Sequence, residues 1–284
     1  MVSTSTGQVV RYLTGPTPAG AWLTGPAIGP DRAFAYYSLN GAGGRTGTYR
    51  VPFAGGPATR LTGTLGASLA VFPDGSRLLL DAMAGSSARY GLVVLDLASG
   101  KERFLPFPFK QGGDIFGYAW SPDSRQVGLV RGPVLDSETF PVQLFVLDVA
   151  AGRWRTAVSF AARGPTPEPG QLGLAWPAPR RVTFVARFAG SDRDPGRYRL
   201  ADLDPRTGKL TPSAVVLATD PSPNRRVGVG HLELDANGRY LLYAVEGTFL
   251  RTSVDLSGRR ARVMVGQFNA LDPKETHAYK AGAW

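Results

Sequence analysis

The stretch "AVFPDGSRLLLDAM" (70–83) constrains this chain more than any other feature, because it recurs. An apolar run meets a sharp Pro-Asp-Gly corner, and a second apolar run follows. Roughly fifty residues later "YAWSPDSRQVGLV" (118–130) repeats the arrangement. Four further stretches align on the same corner. They are Pro30-Asp31 in "AIGPDRAFAYYSL", Ala178-Pro179 in "AWPAPRRVTFVA", Ala236-Asn237-Gly238 in "ELDANGRYLLYA" and Pro273-Lys274 in "ALDPKETHAYKA". Pro pre-sets φ for the first turn position, Asp or Asn bonds its own backbone, and Gly accepts a positive φ. The runs that follow ("RLLLDAM", "QVGLVR", "RVTFVARF", "YLLYAVE") are rich in β-forming residues. Each corner therefore joins two antiparallel strands.

A second signal follows each corner. "GLVVLDLASGKERFL" (91–105) reads as a strand, a Ser-Gly turn and another strand. "QLFVLDVAAGRWRTAV" (143–158), "RYRLADLDPRTGKLTPSAVV" (197–216), "FLRTSVDLSGRRARVMV" (249–265) and "GTYRVPFAGGPATRLT" (47–62) share that form, the second with two residues inserted after Asp202. Each unit is thus four strands at a period of about forty to sixty residues, which is the sequence form of a propeller blade. The expected fold is all-β: a six-bladed β-propeller of four-stranded antiparallel blades in a single domain, 1–284. The blades are expected at 17–62, 65–107, 113–160, 170–218, 228–266, and 267–284 with 1–15. Completing the last blade from both termini would tie the ring and remove an open sheet edge.

Composition supports this reading and excludes several functions. Gly (36) and Pro (23) are plentiful and charged residues are 19%, a mix suited to turns and strands over long helices. No apolar stretch approaches the length of a membrane-spanning helix, and "MVSTSTGQVVRYL" lacks the basic start and apolar core of a signal peptide. With no cysteine, disulfides, thiolate metal sites and Cys nucleophiles are excluded. The net charge of +10 comes mostly from arginines scattered as singletons or pairs such as Arg180-Arg181, Arg225-Arg226 and Arg259-Arg260. With no basic run of five or more, specific nucleic-acid binding is not expected.

The motif pair "FPDGSRLLL…LVVLDLASGK" and "SPDSRQVGLV…LFVLDVAAGR" resembles the repeats of TolB-like propellers. The residues that carry it are Pro73, Asp74, Gly75, Asp96, Gly100 and Lys101, then Pro122, Asp123, Asp148, Gly152 and Arg153. Asp202, Gly208 and Lys209, and Asp255, Gly258 and Arg259, continue it less closely. The resemblance implies a propeller fold. For function it spans interaction scaffolds, propellers that gate peptidases, and bacterial sensor domains, so it implies an extracytoplasmic place over a cytoplasmic one. Asp31, Asp74, Asp123 and Asn237 are expected to cap turns. Trp120 and Trp176, just before their corners, are expected to pack between neighbouring blades.

A site is expected where loops are long and varied. These are "MAGSSARY" (83–90), "RGPVLDSETFP" (131–141), "AARGPTPEPGQ" (161–171), "RFAGSDRDPGR" (187–197) and "TDPSPNRRVG" (219–228), opposite the turns. They offer Tyr90, Phe140, Arg187, Arg193 and Arg225 as ligand contacts, with Asp136, Glu138, Asp192, Asp194 and Arg226 beside them. Counting back from each corner, one inner-strand column reads Gly25, Ser68, Gly117, Gly173, His231, Phe268. The next reads Ala27, Ala70, Ala119, Ala175, Glu233, Ala270. His231 and Glu233 break both columns, and period-two spacing places them on one side of one strand. They form either a hydrogen-bonded plug in the channel wall or a ligand-binding or acid–base pair, with Asp114 nearby.

Other chemistry lacks its residues. No Gly-x-Ser-x-Gly elbow is present. The two histidines, His231 and His277, are too few for a multi-His zinc site, and "DRDPG" and "DLDP" lack the twelve-residue calcium pattern. No cofactor and no metal are expected. The expected function is a non-catalytic binding or sensor module for a protein, peptide or glycan, compatible with the exported part of a larger bacterial protein that has an upstream anchor. A channel-mouth hydrolase or lyase using His231 and Glu233 is the alternative.

Overall fold

A computed structural model of the chain describes residues 21–41, 46–82, 91–109, 114–132, 142–160, 166–167, 174–188, 196–219, 229–234, 240–245, 248–253 and 262–265. The described residues are all strand, turn and coil, and form five antiparallel sheets in two compact units. The last expected blade, the completion by the termini and the corners at Asn237 and Pro273 lie outside the described residues.

The first unit carries two sheets. One is β1 (Trp22–Ile28), β2 (Phe34–Asn40), β3 (Gly47–Pro52) and β4 (Thr59–Thr62), in sequence order. The other is β5 (Gly66–Val71), β6 (Arg77–Ala82), β7 (Gly91–Asp96) and β8 (Glu102–Pro106), again in order. Ala27, Tyr36, Leu78, Leu80, Val93 and Leu95 form the apolar layer between them. Burying about six such side chains supplies the main drive for this contact, at 1.5–3 kcal/mol for each large one.

A buried hydroxyl chain adds direction to that apolar contact. Thr48 Oγ1 donates to the Thr64 carbonyl (2.7 Å), so its single proton is committed. Ser38 Oγ must then donate to Thr48 Oγ1 (2.9 Å), while accepting from the Gly66 amide (3.0 Å). Thr24 Oγ1 donates to the Gly66 carbonyl (2.8 Å). Both polar groups of the first residue of β5 are thereby satisfied by the preceding sheet. At the outer strands, Thr62 Oγ1 donates to Glu102 Oε1 and Thr64 Oγ1 to Glu102 Oε2.

The second unit carries three sheets. The first is β9 (Asp114–Trp120), β10 (Gln126–Gly132), β11 (Gln143–Asp148) and β12 (Arg153–Ser159). The next holds β13 (Thr166–Pro167), β14 (Leu174–Ala178), β15 (Arg181–Phe188), β16 (Arg197–Leu203) and β17 (Leu210–Thr219). The last is β18 (Val229–Leu234), β19 (Tyr240–Val245), β20 (Thr248–Ser253) and β21 (Arg262–Val265). One continuous core runs through all three, from Val130 and Leu144 through Trp176, Phe184 and Tyr198 to Leu232 and Tyr243. Trp176 is 2% exposed and lies against Gly128 of the neighbouring sheet, where a Cβ would meet its Cε3 at 3.4 Å. The lack of a side chain at position 128 makes room for the indole.

The middle sheet departs from the expected unit. β13 and β14 both pair with β15, Thr166 opposite Arg187 and Leu174 opposite Phe184. The innermost position of this sheet is thus shared by two short strands. Part of the stretch 161–171, expected to be loop, is paired backbone.

Candidate functional site

The described turns are built from the residues that the repeat places there. At the first corner Asp31 Oδ1 accepts from the Ala33 amide (2.9 Å). At the second, Asp74 Oδ1 accepts from both the amide and the hydroxyl of Ser76 (2.9 and 2.7 Å). At the third, Asp123 Oδ1 accepts from Ser121 Oγ (2.7 Å) and the Arg125 amide (3.1 Å). The residue after each Asp holds a positive φ: Arg32 at 57°, Gly75 at 71°, Ser124 at 58°. Glycine meets that demand without strain, while Arg32 and Ser124 meet it at a cost of about 1 kcal/mol.

The second turns follow one plan as well. Asp96 Oδ1 accepts from the amide and hydroxyl of Ser99 (both 2.7 Å), and Gly100 sits at φ 69°. Asp148 Oδ1 accepts from the Ala151 amide (2.9 Å). In the sheet built on β15, Asp204 has this role, not Asp202. Its Oδ1 accepts from the Arg206 amide (2.9 Å), and its own amide donates to the Lys209 carbonyl (3.0 Å), as Asp96 does to Lys101 (2.9 Å). Read from Asp204 the turn has no insertion, so the spacing to Gly208 and Lys209 equals that from Asp96 to Gly100 and Lys101. Asp202 instead accepts from Thr183 Oγ1 (2.5 Å) and lies 3.8 Å from Arg181 Nε.

Three of these turns favour the ionised form of their carboxylate, at Asp96, Asp123 and Asp204. Hydrogen bonds from Ser121 and the Arg125 amide hold Asp123 below the usual carboxylate range against a smaller effect of burial. Ser99 does the same for Asp96, and the Arg206 amide with Arg180 for Asp204. A carboxylate held ionised by donors of its own turn serves to fix that turn.

Each inner strand carries a register irregularity against its neighbour. The interruption falls between Thr24 and Ala27 in β1, between Gly66 and Leu69 in β5, and between Gly230 and Glu233 in β18. In β9 it lies between Ile115 and Gly117, and in β14 between Ala175 and Ala178. In β18 three steps along one strand match two along the other, which is the count of a β-bulge. The column Gly25, Ser68, His231 therefore falls within bulges, where small residues relieve crowding. Strict period-two alternation, on which a shared side for His231 and Glu233 rests, does not run through this segment. The side chains of both residues lie outside the described set.

Of the other expected site residues, Asp114 opens β9 opposite Gly132, and Arg187 lies on β15 between Thr166 and Tyr198. Their side chains are also outside the described set, as are Tyr90, Phe140, Arg193 and Arg225 entirely. Among the described residues no group of three or more His, Asp or Glu is placed to hold a metal. No described helix is long and apolar enough to cross a membrane.

Two features had no prominence in the sequence. One is Asp81, near the end of β6 and opposite Leu92. Burial pushes its carboxyl up to about 6. Aligned on the corners, its counterparts are Ser38, Val130, Ala186 and Ala244, so a charge in that column is a detectable signal. The other is a cleft of about 290 Å³ in the second unit, between the turn ends of the sheets built on β10 and β15. Arg125, Arg155, Arg206, Asp123, Asp148 and Trp176 are among its walls. Arg155 Nη1 donates to the Pro205 carbonyl (2.8 Å), tying β12 to the turn of the next sheet.

No family model matches the sequence, and no curated protein matches it significantly. Solved structures do resemble the fold. A putative TolB from Agrobacterium tumefaciens superposes with a TM-score of 0.58 at 13% identity, over 87% of this chain and 83% of the other. TolB from Acinetobacter baumannii gives 0.54 at 11%, over 88% of this chain and 54% of the other. An oligogalacturonate lyase in complex with manganese gives 0.54 at 15%, over 87% and 67%. At such identities the likeness is one of fold: this is an all-β chain of antiparallel four-stranded sheets that matches TolB-like propellers.

Proposed function

We propose that the chain is a non-catalytic binding or sensor propeller, six-bladed and closed by both termini. Its rigid sheets would present a protein, peptide or glycan ligand with the loops opposite the turns. The observation that carries this reading is the use of the turn carboxylates. Asp31, Asp74, Asp96, Asp123, Asp148 and Asp204 each accept from a backbone amide of their own turn. The repeat motif thus supports a frame, and the segments 83–90, 133–141 and 189–195, which lack the repeat, would supply the binding face. Tyr90, Phe140 and Arg193 would be anchors there, since aromatic and arginine side chains dominate binding energies. An extracytoplasmic place, as part of a larger anchored bacterial protein, belongs to the same proposal.

The bulge at His231 favours a second reading, because bulges re-aim side chains beside active sites. One experiment separates the two. The chain is titrated with a peptide panel and with oligogalacturonate, following melting temperature and the ultraviolet absorbance of unsaturated uronide. The binding reading expects a rise in melting temperature that is lost in Tyr90→Ala/Phe140→Ala/Arg193→Ala and kept in His231→Ala/Glu233→Ala. Turnover of oligogalacturonate that disappears in His231→Ala would overturn it.

A further inference from the structure

We infer that the cleft between the turn ends of the two sheets built on β10 and β15 is an oxyanion-binding site, distinct from the loops at the opposite strand ends. Three guanidiniums line it: Arg125 beside the corner turn, Arg155 on β12, and Arg206 in the turn after β16. None of the three makes an ion pair within 4.0 Å with a described carboxylate, whereas Arg77, Arg180 and Arg181 each do.

The acceptors of the cleft are engaged in part by its own turns, through one oxygen of each carboxylate. Asp123 Oδ1 takes Ser121 Oγ and the Arg125 amide, and Asp148 Oδ1 takes the Ala151 amide. Ser121 Oγ accepts from the Gln126 amide (2.8 Å) while donating its proton within the turn. Of the guanidinium hydrogens only one of Arg155 has a described acceptor, the Pro205 carbonyl. With three guanidiniums against two carboxylates, the cleft holds more unused donors than unused acceptors.

A ligand that complements this set carries acceptors and negative charge. Ionised carboxylate and phosphate are the groups whose geometry suits a planar guanidinium fork. The volume of about 290 Å³ accommodates one acidic side chain with its adjoining backbone, or one small phosphorylated or carboxylated molecule. Buried Trp176 and Pro205 give the cleft a stiff base. The bond from Arg155 to Pro205 holds one guanidinium in place before any ligand arrives, which lowers the ordering cost of binding.

The test uses fluorescein-labelled hexaglutamate, followed by anisotropy at low salt, with inorganic phosphate as competitor. Arg125→Ala/Arg206→Ala removes two exposed charges from the cleft. Lys101→Ala/Arg32→Gly removes two exposed charges from the other unit and serves as the charge-matched control. The cleft double variant is expected to weaken binding at least about tenfold, with the control within about twofold of wild type and unchanged melting temperatures. Displacement by phosphate assigns the site to a small oxyanion. Binding that phosphate does not displace assigns it to carboxylates displayed on a peptide. Equal weakening in both double variants would instead reveal attraction to the diffuse +10 field, and would overturn the inference. So would a wild-type chain that binds neither probe.

Discussion

Replacing Asp81 by asparagine tests the energetics of the first unit most directly. Asp81 follows Leu80 on β6 and faces Leu92 across the ladder, both wholly buried. Burial alone lifts its carboxyl from 3.8 to about 6, and no described residue donates a hydrogen bond to it. The sign follows from linkage. Below about pH 3.8 both folded and unfolded chains hold the proton, and ionisation costs nothing. Between about 3.8 and 6 the unfolded chain releases it while the folded chain keeps it, so stability falls as pH rises. Above about 6 the full penalty applies. A shift of about two units at 1.36 kcal/mol each gives a penalty near 3 kcal/mol at most. Asp81→Asn keeps the shape and removes the charge. In urea unfolding at about pH 7.5 its midpoint should rise, with an unchanged slope and a gain of up to about 3 kcal/mol. The gain should shrink as pH falls through 6 and vanish near 4. Asp81→Val, the residue at the matching place 130, should behave alike. A variant less stable than wild type at neutral pH, or a gap that ignores pH, would refute the reasoning, because either result means the folded chain stabilises the carboxylate.

Three further outcomes follow from the same geometry. Gly91→Ala places a Cβ 2.5 Å from the Leu105 carbonyl oxygen and 2.8 Å from the Phe104 ring, so unfolding should show a loss of about 1–3 kcal/mol. Ser38→Ala strips the acceptor from the Gly66 amide and the donor from Thr48, so stability should drop by about 1–3 kcal/mol. Its amide exchange at Gly66 should rise. Tyr243 has a buried hydroxyl with no described partner and a pKa pushed up to about 12, so Tyr243→Phe should be neutral or gain about 1 kcal/mol in thermal or urea unfolding.

TolB propellers and an oligogalacturonate lyase share this one fold. A frame of repeated turns imposes little on chemistry, so function rests on segments outside the repeat. The motif's carboxylates are conspicuous in sequence yet closed into their turns. The arginines of the cleft are inconspicuous in sequence, and only folding brings them together from two turns and an outer strand.

By itself the sequence determined the strand pairs, the corners and the period, since these depend on residues a few positions apart. Pro, Asp and Gly at a corner act through their own φ and their own amides, so Asp74, Asp96 and Asp123 were readable before any tertiary contact. The same local logic matches Asp202 to the turn, because two aspartates two residues apart offer the same chemistry; the turn bonds to Arg206 and Lys209 select Asp204, whose spacing to Gly208 and Lys209 also fits the repeat. Tertiary structure alone decided the bulges of the inner strands, the two-part inner strand β13 and β14, the burial of Asp81 and the cleft of Arg125, Arg155 and Arg206. Each of these depends on how one strand slides against another or on what lies across a sheet. A linear pattern of residues holds neither quantity.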